Sequence, residues 1–113
     1  NINTASQTTL QMIPFVDESV AAKLIELRAG PDGAEGTDDD TPAGMPGFSV
    51  NEALKSAGVN QGVIQMASGF CAVRSRTFEV LVEAEIAGFR RTLHGIVGRN
   101  SPRDVQVLGF YWK

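Results

Sequence analysis

Apolar residues recur at helical spacing in the first half of this chain and at strand spacing in the second. Val20, Leu24 and Leu27 fall at i, i+4 and i+7, with Ala21 and Ile25 beside them, which predicts a helix over 18–28. Asp17 stands where a cap would accept the first free N–H groups, and Gly30-Pro31 stops the helix. Upstream, Leu10 and Ile13 share a face, Thr4 and Gln7 have capping-box spacing, and Pro14 is a terminator, so a short helix is expected over 4–13. Ser49 and Glu52 form a second capping box that opens a helix to about Ala57, with Gly58 as its stop. Residues 61–67 are expected to add a short helical turn.

From Phe70 the period falls to two. Phe78, Val80, Val82, Ala84 and Ile86 alternate with Glu79, Leu81, Glu83 and Glu85, the pattern of an antiparallel strand with one dry and one wet face. Ala87-Gly88-Phe89 suits a turn, residues 90–98 a return strand, Asn100–Arg103 another turn, and Val105–Trp112 a last strand. A short strand over Phe70–Arg74 is expected ahead of them. Helices lead and a meander follows, so the expected class is α+β, with a helical lobe over 1–69 and an antiparallel sheet over 70–113.

Between the helices lies Gly30–Gly47, GPDGAEGTDDDTPAGMPG, with five Gly, three Pro, four Asp and one Glu. Its composition is that of a loop, and it is long for a structureless connection inside a compact domain. It makes the charge uneven: residues 1–40 carry −6 and residues 41–113 carry +3. An acidic lobe is a poor surface for a polyphosphate and a better one for a hard cation. Asp32, Glu35, Asp38, Asp39 and Asp40 lie within nine residues of one another. Calcium takes about 6–8 oxygens in tolerant geometry, and Gly33 and Gly36 permit turns that aim carboxylates inward. The spacing is not that of an EF-hand. A calcium loop and a solvated acidic loop both fit these residues.

Other chemistry is sparse. The chain of 113 residues has one cysteine, Cys71, and one histidine, His94. An intramolecular disulfide, a multi-thiolate zinc site and a multi-histidine centre are thereby excluded. Nothing around His94 forms a nucleophile elbow, and a non-enzymatic protein is expected. Cys71 is expected as a small buried hydrophobe in a strand, and His94 as a hydrogen-bonded or solvent-facing residue. Arg90, Arg91 and Arg99 are expected on the wet side of the sheet, with pairing to acidic partner surfaces as their functional alternative. Phe110, Tyr111 and Trp112 are expected to pack sheet against helix, or, if exposed, to mark a partner contact. No apolar run reaches the roughly 18 residues of a membrane helix. A chain that opens Asn-Ile-Asn-Thr without Met is expected to be part of a longer protein.

Asn1–Arg28, with Asn-Ile-Asn-Thr-Ala-Ser, Leu10, Pro14 and a second helix, resembles the helix-hairpin-helix (SAM-like) lobe of competence DNA receptors, and equally the helical domain of type II secretion protein K, a minor pseudopilin. The continuation separates the two. Arg28-Ala29-Gly30-Pro31-Asp32-Gly33, then Gly36-Thr37-Asp38-Asp39-Asp40-Thr41-Pro42, resembles the secretion family, as do Val73-Arg74-Ser75, Phe78, the meander and a late Trp. This resemblance implies a pilin-like sheet and a structural component of the periplasmic pseudopilus tip, in protein transport by the general secretion pathway. It implies other minor pseudopilins as partners, contact with secreted protein substrate, and an inner-membrane anchor through an N-terminal helix that lies outside these residues. It also implies structural calcium held by the acidic loop, with Asp32, Glu35, Asp38, Asp39 and Asp40 as candidate ligands. The chain departs from the family pattern at Ala43-Gly44-Met45-Pro46-Gly47, which precedes Phe48 where an earlier Phe is expected.

The alternative is a helix-hairpin-helix DNA-binding module of a DNA-uptake protein. In such hairpins a glycine-rich turn brings backbone N–H groups to a phosphate. Here the turn is Pro14-Phe15-Val16-Asp17-Glu18, without glycine and with two carboxylates, and Lys23 and Arg28 are the only cations of residues 1–40. Counterion release needs several such contacts, so no nucleic-acid partner is expected.

Overall fold

The computed structural model describes residues 1–112. Four short helices, α1 (Gln7–Leu10), α2 (Glu18–Arg28), α3 (Val50–Ser56) and α4 (Ile64–Ser68), precede three strands, β1 (Thr77–Ile86), β2 (Phe89–Ser101) and β3 (Asp104–Trp112). The strands form one antiparallel sheet in the order β1-β2-β3, an α+β arrangement with a meander. The chain divides into two compact units, one over Asn1–Arg74 and one beginning at Ser75. The break falls after Arg74 rather than at residue 69. Cys71 packs against the helical core, and the Ile2 N–H donates to the Ala72 carbonyl at 2.9 Å.

The helical unit is built around its own core. Ile2, Leu10, Val16, Ala21, Leu24, Ala53, Leu54, Ala57, Val59, Ile64 and Ala67 are buried together, with Phe48, Val50 and Cys71 against them. The caps explain where the helices start. Asp17 Oδ1 accepts from the Val20 N–H at 2.9 Å. Ser49 and Glu52 form the reciprocal box, with the Ser49 N–H donating to Glu52 at 2.7 Å and the Glu52 N–H to the Ser49 hydroxyl at 3.3 Å. Bonding from the Ser49 N–H holds the Glu52 carboxyl below its usual value.

Three local expectations are corrected here. The first helix is capped by Ser6, not Thr4, and covers only 7–10, because Thr4 and Ala5 are spent in a turn closed on the Asn1 carbonyl. Residues 70–74 form no strand; Phe70 and Cys71 continue the turn after α4, donating to Ala67 and Ser68. Cys71 is therefore half-buried beside a helix end, and burial pushes its thiol pKa up.

The sheet unit has no comparable core. Its first hairpin is a two-residue turn, Ala87-Gly88, with φ of 51° and 81°, which places Ile86 opposite Phe89. Positive φ at both positions matches the twist that joins paired strands tightly. The strand is amphipathic as its alternation predicts, but β1 is exposed along its whole length rather than half-buried.

Candidate functional site

Two regions hold the chemistry: the acidic loop of the helical unit and the two faces of the sheet. The loop starts at Gly30, whose φ is +68°. A Cβ there would lie 2.2 Å from the Asp39 carbonyl oxygen, so only glycine allows the two ends of the loop to close. At its base the Thr41 N–H donates to the Arg28 carbonyl at 3.0 Å and the Thr41 hydroxyl to the Leu27 carbonyl. The loop thus satisfies carbonyls that the end of α2 leaves without helical partners.

Each acidic residue has a distinct position. Glu35 is turned inward to Arg28, at 2.9 Å from Nε and 2.7 Å from the terminal nitrogen. Arg28 is 8% exposed and also donates to the carbonyls of Ile2 and Ala5, at 3.0 and 2.8 Å. One guanidinium therefore ties the chain start, α2 and the loop together. Asp32 accepts from the Ala34 N–H at 2.8 Å. Asp39 accepts from the Asp32 N–H at 3.1 Å and from the Thr37 hydroxyl at 2.6 Å. Asp40 accepts from the Gly36 N–H at 2.8 Å and the Thr37 N–H at 3.3 Å. Asp38 is exposed and makes no hydrogen bond or ion pair among the described residues. The Thr37 hydroxyl holds the Asp39 carboxyl below its ordinary value.

These oxygens are of the kind calcium takes, but in this arrangement most are engaged by the loop's own N–H groups or by Arg28. Among the described residues no group of three or more His, Cys, Asp or Glu side chains converges as a metal would require. No helix of the described residues is long and apolar enough to cross a membrane.

The hairpin between α1 and α2 turns without glycine. Phe15 itself takes the left-handed conformation, with φ of 69°, and the start of α2 is occupied by the Asp17 carboxylate.

In the sheet, pairing decides which side chains share a face. Phe78, Val80, Val82, Ala84 and Ile86 oppose Val97, Gly95, Leu93, Arg91 and Phe89. On the other side of β2, Leu93, Gly95 and Val97 oppose Trp112, Phe110 and Val107. The result is one apolar face across three strands, with Ile86 77%, Phe89 80%, Phe110 67% and Trp112 64% exposed. Arg91 and Arg99 lie on this face, opposite Ala84 and Val105, whereas Arg90 lies on the polar face; the expectation of three arginines on the wet side is corrected. Phe110 and Trp112 stay exposed, and Tyr111 belongs to the polar face.

On the polar face one cluster joins all three strands. Glu79 Oε1 accepts from His94 Nδ1 at 2.7 Å and from the Tyr111 hydroxyl at 3.3 Å. The His94 and Tyr111 rings stack with centroids 4.8 Å apart. Partial loss of hydration and then the Glu79 charge raise the Tyr111 pKa. Beside them Glu85 pairs with Arg90 at 3.2 Å. Sequence reasoning missed this cluster and left partner-binding residues open, because residues 79, 94 and 111 are joined only by strand register.

No protein-family model, no curated protein and no solved structure matches this chain.

Proposed function

We propose that this chain is the helical and sheet part of a minor pseudopilin of the type II secretion protein K kind, a non-enzymatic component of the periplasmic pseudopilus tip. The observation that supports it best is the bare apolar face of the β1–β2–β3 sheet. A three-stranded sheet gains stability when such a face is covered, and an exposed apolar face marks a surface that further packing would complete. A pseudopilin offers that completion in a pilin-like core and in packing with its fellow minor pseudopilins. The order of parts agrees: a capped helical lobe, an acidic Gly/Pro/Asp loop, then a meander. For a DNA-uptake module the hairpin offers no such support, since Asp17 occupies the helix start where a phosphate would bind.

In this proposal calcium is a structural ion of loop 30–47. Asp32, Asp39, Asp40 and Glu35 would turn from their present N–H, hydroxyl and guanidinium donors toward it, and Asp38 would join them from its exposed position.

Deleting the gene should abolish release of secreted proteins to the medium while leaving them in the periplasm, with rescue by the gene in trans. Normal secretion in the deletion strain overturns the assignment. Calcium is tested separately by thermal unfolding in millimolar calcium, magnesium or chelator. A rise of several degrees specific to calcium supports the ion, and coincident curves remove it.

A further inference from the structure

The two edges of the sheet differ. β1 pairs only with β2, so its outer N–H and C=O groups point away from the sheet along ten residues, all exposed. It contains no Pro and no Gly, and its register with β2 runs unbroken from Thr77↔Gly98 to Ile86↔Phe89. The opposite edge, β3, is interrupted: its pairing with β2 shifts at Ile96/Val97 and again at Arg99/Ser101. Among the described residues only β1 presents an even row of outward backbone groups, the feature that templates another strand.

The side chains along β1 specify the kind of strand. On one face stand Phe78, Val80, Val82, Ala84 and Ile86; on the other stand Glu79, Leu81, Glu83 and Glu85, with leucine as the one apolar residue among three carboxylates. The pairing with β2 shows what complements this pattern. Arg90 lies opposite Glu85 and pairs with it, while apolar Phe89, Leu93 and Val97 fill the other face. Glu83 lies opposite uncharged Thr92 and has no ion-pair partner among the described residues.

We propose that the free edge of β1 is a strand-addition site for an extended partner segment that alternates apolar residues with Lys or Arg. Backbone hydrogen bonds would hold the segment, its basic side chains would lie beside Glu79, Glu83 and Glu85, and its apolar side chains would widen the apolar face. A second copy is a poor occupant. An antiparallel β1–β1 pair sets glutamates against glutamates, and β3 supplies Asp104, Gln106 and Tyr111 on its polar face but no cation. The inference rests on the sheet alone and does not depend on the secretion assignment.

The test titrates the isotopically labelled chain with two capped ten-residue peptides, one alternating valine with lysine and one valine with glutamate. The lysine peptide is expected to slow hydrogen exchange at those β1 amides not bonded to β2, and to bind at least tenfold more tightly than the glutamate peptide. Glu83→Lys should weaken the lysine peptide several-fold, and Glu83→Gln by less, with exchange in α2 and α3 unchanged in both variants. Equal binding of the two peptides overturns the proposal. So does binding that shifts Leu93, Phe110 and Trp112 without protecting β1, which marks a partner lying on the face. Concentration-dependent protection of β1 without peptide assigns the edge to a second copy and likewise overturns it.

Discussion

The helical unit and the sheet unit have similar shares of apolar residues but use them in opposite ways. In Asn1–Arg74 the apolar side chains converge: Leu10 and Leu54 are fully buried, and small alanines at 21, 53, 57 and 67 let the short helices approach closely. From Ser75 onward most of the large apolar side chains are laid out on one face and stay exposed, with Leu93 and Val97 half-buried there and Leu81 and Ile96 on the opposite face. Helices can fold back on each other through loops and enclose a core in one short segment. A meander of three strands makes a single layer, and a single layer needs a second one. Stability should therefore be concentrated in the first unit, and the second should gain most from a partner.

The sharpest check on that contrast is a pair of truncations. Leu54→Ala removes a fully buried side chain and should cost about 3 kcal/mol in denaturant unfolding, whereas Phe78→Ala in the sheet should cost under about 1 kcal/mol. Equal losses would mean that the sheet has packing of its own. Arg28→Met comes next: it strands the carbonyls of Ile2 and Ala5 and should cost about 3 kcal/mol, read as a lower denaturation midpoint for the helical unit. Ser49→Ala removes one half of the capping box and should cost about 1 kcal/mol by the same measurement.

Acid should weaken the helical unit. The carboxyls of Asp39 and Glu52 have folded values below 3.8 and 4.5, so their contribution is present above those values and is lost as pH falls through the lower folded ones. Melting temperatures measured from pH 7 down to pH 3 should drop over that range, and Glu52→Gln should flatten part of the fall. The smallest expected effect is in the sheet. Tyr111 is the single tyrosine, so ultraviolet absorbance follows it alone. Its ionisation should have a midpoint above 10.0, and Glu79→Gln should lower that midpoint by removing the opposing negative charge. An unchanged midpoint would mean that the strand-spanning cluster does not form in solution.

Elements were most legible where a local rule sufficed. Asp17 and Ser49 cap the helices assigned to them, Gly58 follows the end of α3 with φ of +107°, and the alternation of 78–86 falls on β1. Misreadings arose where two local rules competed. Thr4-Gln7 and Ser6-Thr9 both offer cap spacing, and the turn onto Asn1 decides for Ser6. Phe70–Arg74 is apolar enough for a strand, but Cys71 and Ala72 are drawn to the helical unit instead. The acidic loop was legible as a loop, while its bonding was not. That Glu35 would clasp Arg28 and Asp40 bind the backbone of Gly36 and Thr37 depends on turns set by successive glycines.

By itself the sequence determined the α+β order, the caps of α2 and α3, the alternation of β1 and the concentration of carboxylates in 30–47, because each follows from neighbours within a turn or a strand. Tertiary structure alone decided that Arg28 is a buried tie, that Arg91 and Arg99 share the apolar face, that Glu79, His94 and Tyr111 meet, and that β1 keeps an unbroken free edge. The physical reason is common to all four. Each depends on which distant segments lie side by side, and register and burial are set by the whole chain rather than by any short stretch of it.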